Sequence, residues 1–524
     1  MSAEKIIFLV CCTVGVLLAS RGLVHYFQLE SYQFPGFYRT LKRNPLKALL
    51  PGLILAFAVF AAGLIPGFTG SSAVNALVKG ILPFATGMLL YLADKKEQKK
   101  KKLNYTPRIK RLYCVYAAFV IASLWFVPAE YCFCWFIFLP VWFAAAGLLA
   151  WPVEKAISEM YFRDARRKLL GADDLIRIGI TGSWGKTSVK FILGTLLNEK
   201  YQTLVTPSSF NTPMGVTKVI RSGLEPSHRV FVAEMGARHV GDIRELCRLV
   251  HPEIGLITSV GPQHLDTFKT IERVKSTKYE LMEAVPDGGC CFFADDGENG
   301  IVRSLYGRTE KKKVLAGTDS VHDDVWAENI SVSPEGSTFI LCTKDRRIHC
   351  STKLLGETNV RNITLAASVA IYLGLNDRQI ANGIAKLEPV EHRLQLITRP
   401  GCMTVIDDAF NSNIKGAKQA FDVLACFENN RKIVITPGMV ELGDKERELN
   451  REFGMKLAEC TDIAVLVGEK HTQPIVDGMK DKGFPEERIY VRRTLDEAVK
   501  LLESIGNPDD IVLFENDLPD NYTE

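Results

Sequence analysis

No two of the chain's 13 cysteines form a C-x2-C pair that is matched by a second pair at ribbon or finger distance, which excludes a structural zinc module. Cys11-Cys12 and Cys132-x-Cys134 fall in apolar stretches and Cys290-Cys291 in an expected strand, so the thiols read as reduced structural groups of a cytosol-facing protein. Internal repeats are absent, which excludes a solenoid, and low-complexity sequence is confined to one lysine-rich loop. Inside the long apolar stretches the mid-bilayer ionisable residues reduce to Lys79, too few for the relay of a primary transporter.

Apolar sequence is plentiful and unevenly spread. A chain of 524 residues, 47% hydrophobic, exceeds a single core, and two to four domains are expected. Five apolar stretches come first, at 6–24, 48–65, 74–93, 112–127 and 131–153. Each is close to the roughly 20 residues that cross a bilayer as a helix. A cleaved signal peptide fits the first poorly, because Ser20-Arg21 interrupts its end and further stretches follow. The fourth is short, and with Pro128 behind it a hairpin with the fifth is the alternative. Lys95, Lys96, Lys99, Lys100, Lys101, Lys102, Arg108, Lys110 and Arg111 separate the third and fourth, whereas 66–72 and 128–130 carry no Lys or Arg. By the positive-inside rule that loop is cytoplasmic, as are Arg39, Lys42 and Arg43 and the run Arg163, Arg166, Arg167, Lys168. An odd count of spans puts the N-terminus outside and the rest of the chain in the cytosol. The lysine run lacks interleaved aromatics, so it reads as a contact with anionic lipid and not with nucleic acid. The expectation is a multi-pass cell-membrane protein with cytoplasmic catalytic domains.

Residues 178–188, IGITGSWGKTS, run an apolar strand into a glycine turn that carries lysine and threonine. The Gly182, Gly185, Lys186, Thr187 spacing is tighter than the usual P-loop, but glycines still let backbone N–H groups approach phosphate oxygens at a helix N-terminus. Lys186 then reaches the terminal phosphates and Thr187 offers a hydroxyl to Mg2+, with Ser183 and Ser188 completing the loop. ATP is the implied nucleotide. Strands and helices alternate from Leu175 onward, predicting an α/β fold with a mostly parallel sheet. Antiparallel strands are expected within 325–352 and a helix at 359–373, and a second α/β unit begins after 389–400, with strands at 403–407, 432–436, 463–467, 488–491 and 511–514. The predicted domains are a transmembrane helical domain at 1–160, an ATP-binding domain at 161–396 and a C-terminal Rossmann-like domain at 397–524. Glu234 and His264 each follow a strand, at the carboxyl end where open parallel sheets gather their ligands. Position raises both above the ordinary reading of a loop histidine or a strand-end acid. Lys278 alone would read as a solvated helix charge.

The motifs TGSWGKTS, SSFNTPMGV (208–216), VAEMGARHVGDI (232–243), ITSVGPQHLDTF (257–268) and STKYEL (276–281) follow one another in the order of the Mur ligase central domain. GETNVRNITLAA (356–367), PVEHRL (389–394), VIDDAFNSN (405–413) and PGMVELGDKERELNREFG (437–454) extend the resemblance to that family's D-alanyl-D-alanine-adding branch. The resemblance implies an ATP-dependent ligase of cell-wall precursor synthesis. It activates an acceptor carboxylate as an acyl phosphate and joins it to an amino acid or dipeptide. It also implies that Gly182, Gly185 and Lys186 hold the phosphates, that Thr187 and Glu234 bind one Mg2+ and His264 a second, and that Lys278 is carbamylated beside the metals. Asn359 would contact adenine, Arg393 the γ-phosphate and Asp407 or Asp408 the ribose, with Asn211, Thr212 and Asn411 facing substrate. Lys186, Lys278, His264 and Arg393 make up the implied catalytic set.

Two departures bear on substrate. The soluble relatives begin with a domain that grips a UDP-sugar, and here the apolar stretches stand in its place, so the acceptor is expected at or anchored in the bilayer, as a lipid-linked muramoyl peptide or another polyprenyl- or polymer-borne carboxylate. After the last strand the family carries a lysine-glycine-serine-arginine segment, where this chain reads FENDLPDN (514–521). An acidic loop favours an amine lacking a free carboxylate or carrying positive charge. Two further readings stay open: an inactive ATP-binding scaffold of wall synthesis, and the branch that amidates lipid-linked precursors with a glutaminase partner. The second usually carries a cysteine-rich zinc insertion, whose spacing Cys290, Cys291, Cys342 and Cys350 do not have.

Overall fold

The computed structural model describes residues 3–64, 72–97, 102–128, 131–208, 210–263, 265–409, 414–440, 442, 445–469 and 471–516. The chain divides into two compact units, the first ending at Met160 and the second beginning at Tyr161.

Among its described residues the first unit is all helical: α1 (Ala3–Ala19), α2 (Arg21–Leu29), α3 (Phe34–Arg43), α4 (Pro45–Leu64), α5 (Ser72–Lys96), α6 (Pro107–Phe126), α7 (Cys132–Ile137) and α8 (Leu139–Leu170), the last running on past the division. By length and composition α4, residues 76–96 of α5, and α6 could each cross a membrane, and α1 with α2 makes a fourth candidate bent by 42°. Five spans were expected. The fifth stretch is not one continuous helix of that kind: it is broken at Phe138, and α8 has 15 residues before the charged pair Glu154-Lys155. Large apolar side chains face outward along these helices, among them Phe57, Leu89, Phe126 and Leu148. Where α1 meets α5, small residues let backbones touch: a Cβ on Gly87 would lie 2.3 Å from the carbonyl oxygen of Gly15, and one on Gly15 2.6 Å from that of Pro83.

In the second unit one sheet has the order β2-β3-β1-β4-β5-β6-β7-β8-β9. Its strands are β1 (Ile176–Thr181), β2 (Thr203–Val205), β3 (Val230–Glu234), β4 (Ile254–Ile257), β5 (Cys290–Ala294), β6 (Lys313–Gly317), β7 (Val325–Ser333), β8 (Gly336–Thr343) and β9 (Arg347–Thr352). The pairs from β2 to β7 are parallel and β7-β8-β9 is an antiparallel meander. Nearly continuous apolar runs mark the strands because both faces are covered. On one face Ile178, Ile180, Val230 and Val232 pack with Ile192 and Leu196 of α9 (Lys186–Leu197) and with Ile363 and Ala367 of the helix Glu357–Tyr372. On the other, Phe231 and Ala233 meet Val216 of α10 (Pro213–Gly223), Ile243 of α11 (Asp242–Val250) and Leu281 of the helix Ile271–Ala284. A second sheet, of order β10-β11-β15-β12-β13-β14, is parallel except for β10 (Gln395–Ile397) against β11 (Thr404–Asp408). Its other strands are β12 (Lys432–Thr436), β13 (Ile463–Val467), β14 (Ile489–Arg492) and β15 (Ile511–Glu515). β12 and β13 have the expected bounds, and β11, β14 and β15 differ from the expected strands by one residue at one or both ends, where pairing and not composition decides the limit.

Candidate functional site

Strand β1 lies between β3 and β4, with Ile180 opposite Glu234 and Thr181 opposite Ile257, so three carboxyl ends come together. The strand order, β2-β3-β1-β4, changes sense here, which is where such sheets open a ligand crevice. The 182–185 loop fills it. Gly185, at φ +80°, caps α9 in a conformation that favours glycine, and a Cβ on Gly182 would meet Thr258 Oγ1 at 2.1 Å. The segment after β4 clamps the loop. Ser183 N–H donates to the Ser259 carbonyl (3.0 Å), Trp184 N–H donates to Ser259 Oγ (2.8 Å), and Gly261 N–H donates to Ser183 Oγ (3.0 Å). Ser183, expected to touch nucleotide, is buried and uses its hydroxyl inside this clamp. Lys186 Nζ donates to the carbonyls of Gly182 (2.7 Å) and Ser183 (3.0 Å), while Thr187 and Ser188 stay half-buried in the first turn of α9.

A polar cluster stands beside the loop. Glu234 is 1% exposed and both carboxylate oxygens are engaged: Lys190 Nζ donates to Oε2 and Asn211 Nδ2 to Oε1, each at 3.0 Å. Thr206 Oγ1 accepts from Glu234 N–H, and the Asn211 carbonyl accepts from Gly236 N–H, so Thr206 and Asn211 are latched to the end of β3. Burial pushes the Glu234 carboxyl up, but Lys190, Lys186 and the two hydrogen bonds outweigh it and hold it below the usual range. Lys190 is wholly buried and its ammonium also donates to the Ser208 carbonyl (2.5 Å). Thr212, expected to face substrate, caps α10 by accepting from Gly215 N–H (3.3 Å).

Burial depresses the neighbouring ammonium groups. Lys186 falls to about 8, from burial first and then the Arg393 charge, with Glu234 opposing. Lys278 points inward from the helix Ile271–Ala284, 2% exposed, and burial with the Lys186 charge drives it well below the ordinary lysine value. Lys186 lies within electrostatic reach of Glu234, Arg393 and Lys278, and Glu234 within reach of Lys278 and Arg393.

Next to the loop lies a pocket of about 340 Å3, lined among others by Ser188, Phe191, Leu354, Asn359, Leu387 and Arg393. Asn359 Nδ2 donates to the Leu355 carbonyl at 2.8 Å. Arg393 sits between His392 (φ 60°) and Leu394 (φ 47°), two left-handed non-glycine residues. Such backbone costs about 1–3 kcal/mol per residue and persists only where surroundings enforce it. Here Asp407 Oδ2 lies 2.7 Å from His392 Nδ1, and Asp408 Oδ1 accepts from Leu394 N–H at 3.1 Å. The aspartates expected at a ribose therefore grip the segment that carries Arg393.

His264 and Asn411 lie outside the described residues, as does 517–521 of the acidic segment. Among the described residues no group of three His, Cys, Asp or Glu side chains is placed to hold a metal. Sequence reasoning passed over Lys190, although a lysine one turn after Lys186 on the buried face of an otherwise apolar helix was a visible signal. Phe191, Leu354 and Leu387 carried no signal beyond hydrophobicity.

Residues 180–370 match the Mur ligase middle domain and residues 392–515 the Mur ligase, glutamate ligase domain. The chain is 31% identical over 367 residues to the UDP-N-acetylmuramoyl-tripeptide–D-alanyl-D-alanine ligase of Mycobacterium tuberculosis (strain ATCC 25618 / H37Rv), covering 66% of this chain and 71% of that one. The Bacillus subtilis (strain 168) ligase of the same name is 25% identical over 338 residues, with coverage of 64% and 72%. Among solved structures, MurF from Acinetobacter baumannii superposes with TM-score 0.62 at 23% identity, covering 70% of this chain and 78% of its own. MurF ligase from Thermotoga maritima, in complex with ADP, gives 0.61 at 23% identity, covering 68% and 80%. These two likenesses speak for the fold.

Proposed function

The chain belongs to the Mur ligase family, and as an ATP-dependent ligase of peptidoglycan precursor synthesis we propose that it joins a D-alanyl-D-alanine-type amine to a muramoyl-tripeptide-type carboxylate presented at the membrane. The observation that carries this reading is the convergence of Lys186, Glu234, Lys278 and Arg393 on one phosphate loop beside the pocket lined by Asn359. The acceptor carboxylate oxygen attacks the γ-phosphorus of ATP and the bond to ADP breaks. The amine then attacks the acyl carbon, loses a proton and expels phosphate as the amide forms. Little covalent work falls to the protein, so positioning and charge dominate. Lys186 and Arg393 supply positive charge where it builds on the transferred phosphoryl group, and the loop N–H groups orient it. Asn359 and the apolar wall of the pocket suit an adenine, and the family resemblance assigns Asn211, and Asn411 outside the described residues, to the acceptor.

Mg2+ is bound through one or two carboxylates with water and substrate phosphate, so Glu234, kept ionised and pre-oriented, and Thr187 fit one ion, with His264 assigned to a second. When bound, the metal neutralises phosphate charge. Lys278, deprived of solvation, is biased toward the neutral amine that attacks CO2, giving a carbamate and a proton. Residues 161–396 and 397–524 form the two catalytic domains and 1–160 the membrane domain. Outward-facing apolar side chains on α4, α5, α6 and α8 support bilayer insertion. A cytosolic site for ATP also requires a return crossing by α7 with the start of α8, which together have 22 residues between Cys132 and Val153. The test is phosphate release by detergent-solubilised protein given ATP, D-alanyl-D-alanine or single amino acids, and either the soluble UDP-linked tripeptide or its lipid-linked form. Release that depends on acceptor and vanishes in Lys186→Ala is expected. Equal turnover of the soluble and lipid-linked acceptors would remove the membrane part, and acceptor-independent release would remove the ligase.

A further inference from the structure

The helical unit holds a second pocket, of about 300 Å3 including its mouth, lined by Phe27, Tyr32, Phe34, Arg108, Trp151 and Glu154 among others. It sits where α6 begins, directly after the lysine-rich loop, and its far wall is the face of α8 that carries Gly147 and Trp151. Arginine outnumbers acid here. Arg111 takes both oxygens of Glu154, donating from Nε at 2.6 Å and Nη2 at 2.8 Å. Arg108 is left 3.7 Å from the same carboxylate, beyond hydrogen-bond distance, with its side chain only 34% exposed. No described atom accepts a hydrogen bond from its guanidinium. A planar group of five donors, half withdrawn from water and unsatisfied by protein, is suited to a bidentate oxyanion.

The surroundings hold that group in place. The Arg108 guanidinium lies 4.0 Å above the Tyr32 ring. Ser31 and Tyr32 both adopt left-handed backbone, and the Tyr32 hydroxyl is tied to Gln28 (3.2 Å) and Thr106 (3.3 Å). Strained backbone enforced at a pocket wall marks a constructed site better than a surface turn does. Opposite the charge, Phe27 is buried, Phe34 half-buried and Trp151 half-exposed. Cationic donors on one side and aromatic surface on the other describe an amphiphile.

We propose that this pocket binds the phosphate head of a membrane amphiphile, with the phosphate oxygens on Arg108 and the first carbons of its apolar chain against Phe34 and Trp151. This rests on the reading that the helical unit lies in a bilayer. Glycerolipid and prenyl phosphates share the chemistry, so dioleoyl phosphatidic acid, farnesyl phosphate, farnesol and inorganic phosphate are titrated against the full-length protein in detergent, with occupancy read by native mass spectrometry. Both amphiphilic phosphates, or whichever of the two supplies the natural head group, should bind, and Arg108→Met should weaken them roughly tenfold or more, as loss of a charge-assisted pair implies. Arg108→Lys should recover part of that loss. Trp151→Ala should weaken the amphiphiles and leave inorganic phosphate unchanged, which keeps the test open should Arg108→Met fail to fold. Unchanged affinity in Arg108→Met, or equal binding of farnesol or inorganic phosphate, overturns the proposal. Alkaline carbonate separates the two readings: release of the chain from membranes sinks the bilayer reading, whereas retention with unchanged affinity in Arg108→Met sinks only the pocket.

Discussion

Glu234 shows how one residue's surroundings fix its chemistry. A carboxylate this deeply buried would be neutral in isolation, yet Lys190 and Asn211 hold it charged and aimed. Removing one partner of such a pair leaves an uncompensated buried charge, at a cost of about 3–5 kcal/mol. Lys190→Met should therefore lower the first urea transition by that order while Lys190→Arg loses less, and acceptor-dependent phosphate release should fall with it. Glu515 is the opposite case. Fully buried at the end of β15, it has one oxygen without a partner, and burial with the Asp408 charge raises its carboxyl well above the ordinary 4.5. The native state then keeps a proton that the unfolded chain gives up above about pH 4.5, so stability is full below that value and declines as pH rises toward the native pKa. Glu515→Gln should abolish this decline, and melting curves between pH 5 and 8 should show the variant gaining on the wild type by a few degrees at the upper end.

Two elements depend on glycine for contact rather than flexibility. In the phosphate loop, a methyl group on Gly182 would collide with Thr258 and push the loop off the segment that clamps it. Gly182→Ala should lose ATP binding, measured by isothermal titration, with little change in the far-UV spectrum. In the helical unit, a side chain on Gly87 has nowhere to go except into the backbone of α1. Gly87→Leu should separate α1 from α5, reducing the yield of monodisperse protein in detergent while leaving nucleotide affinity intact. Helix packing in lipid depends on such close approach, because apolar side chains gain little by leaving apolar solvent.

At the scale of the whole molecule, His392 and Leu394 bind Asp407 and Asp408 on β11, tying the end of the first α/β sheet's domain to the start of the second. A nucleotide that recruits Arg393 from this junction should stabilise both sheets together. Thermal unfolding with a non-hydrolysable ATP analogue and Mg2+ should shift upward, and EDTA should reverse most of the shift, because ligand binding to the native state adds RT ln(1 + [L]/Kd). A shift that survives EDTA would count against the metal assignment at Glu234 and Thr187.

Order along the chain was enough to read the phosphate loop, the alternation of strands and helices, and the acids at strand ends, because local periodicity and glycine placement are properties of neighbouring residues. The apolar front was equally legible as composition. Its division into helices was not: the break at Phe138 and the 42° bend between α1 and α2 fall inside stretches that read as continuous by hydrophobicity alone. Folding alone revealed that Lys190 neutralises Glu234 from 44 residues away, that Asp407 and Asp408 hold a linker, and that Arg108 faces an aromatic pocket with its donors unspent. Sequence prescribes which groups exist and how they recur; only close packing decides which charges are stripped of water and which partner then answers them.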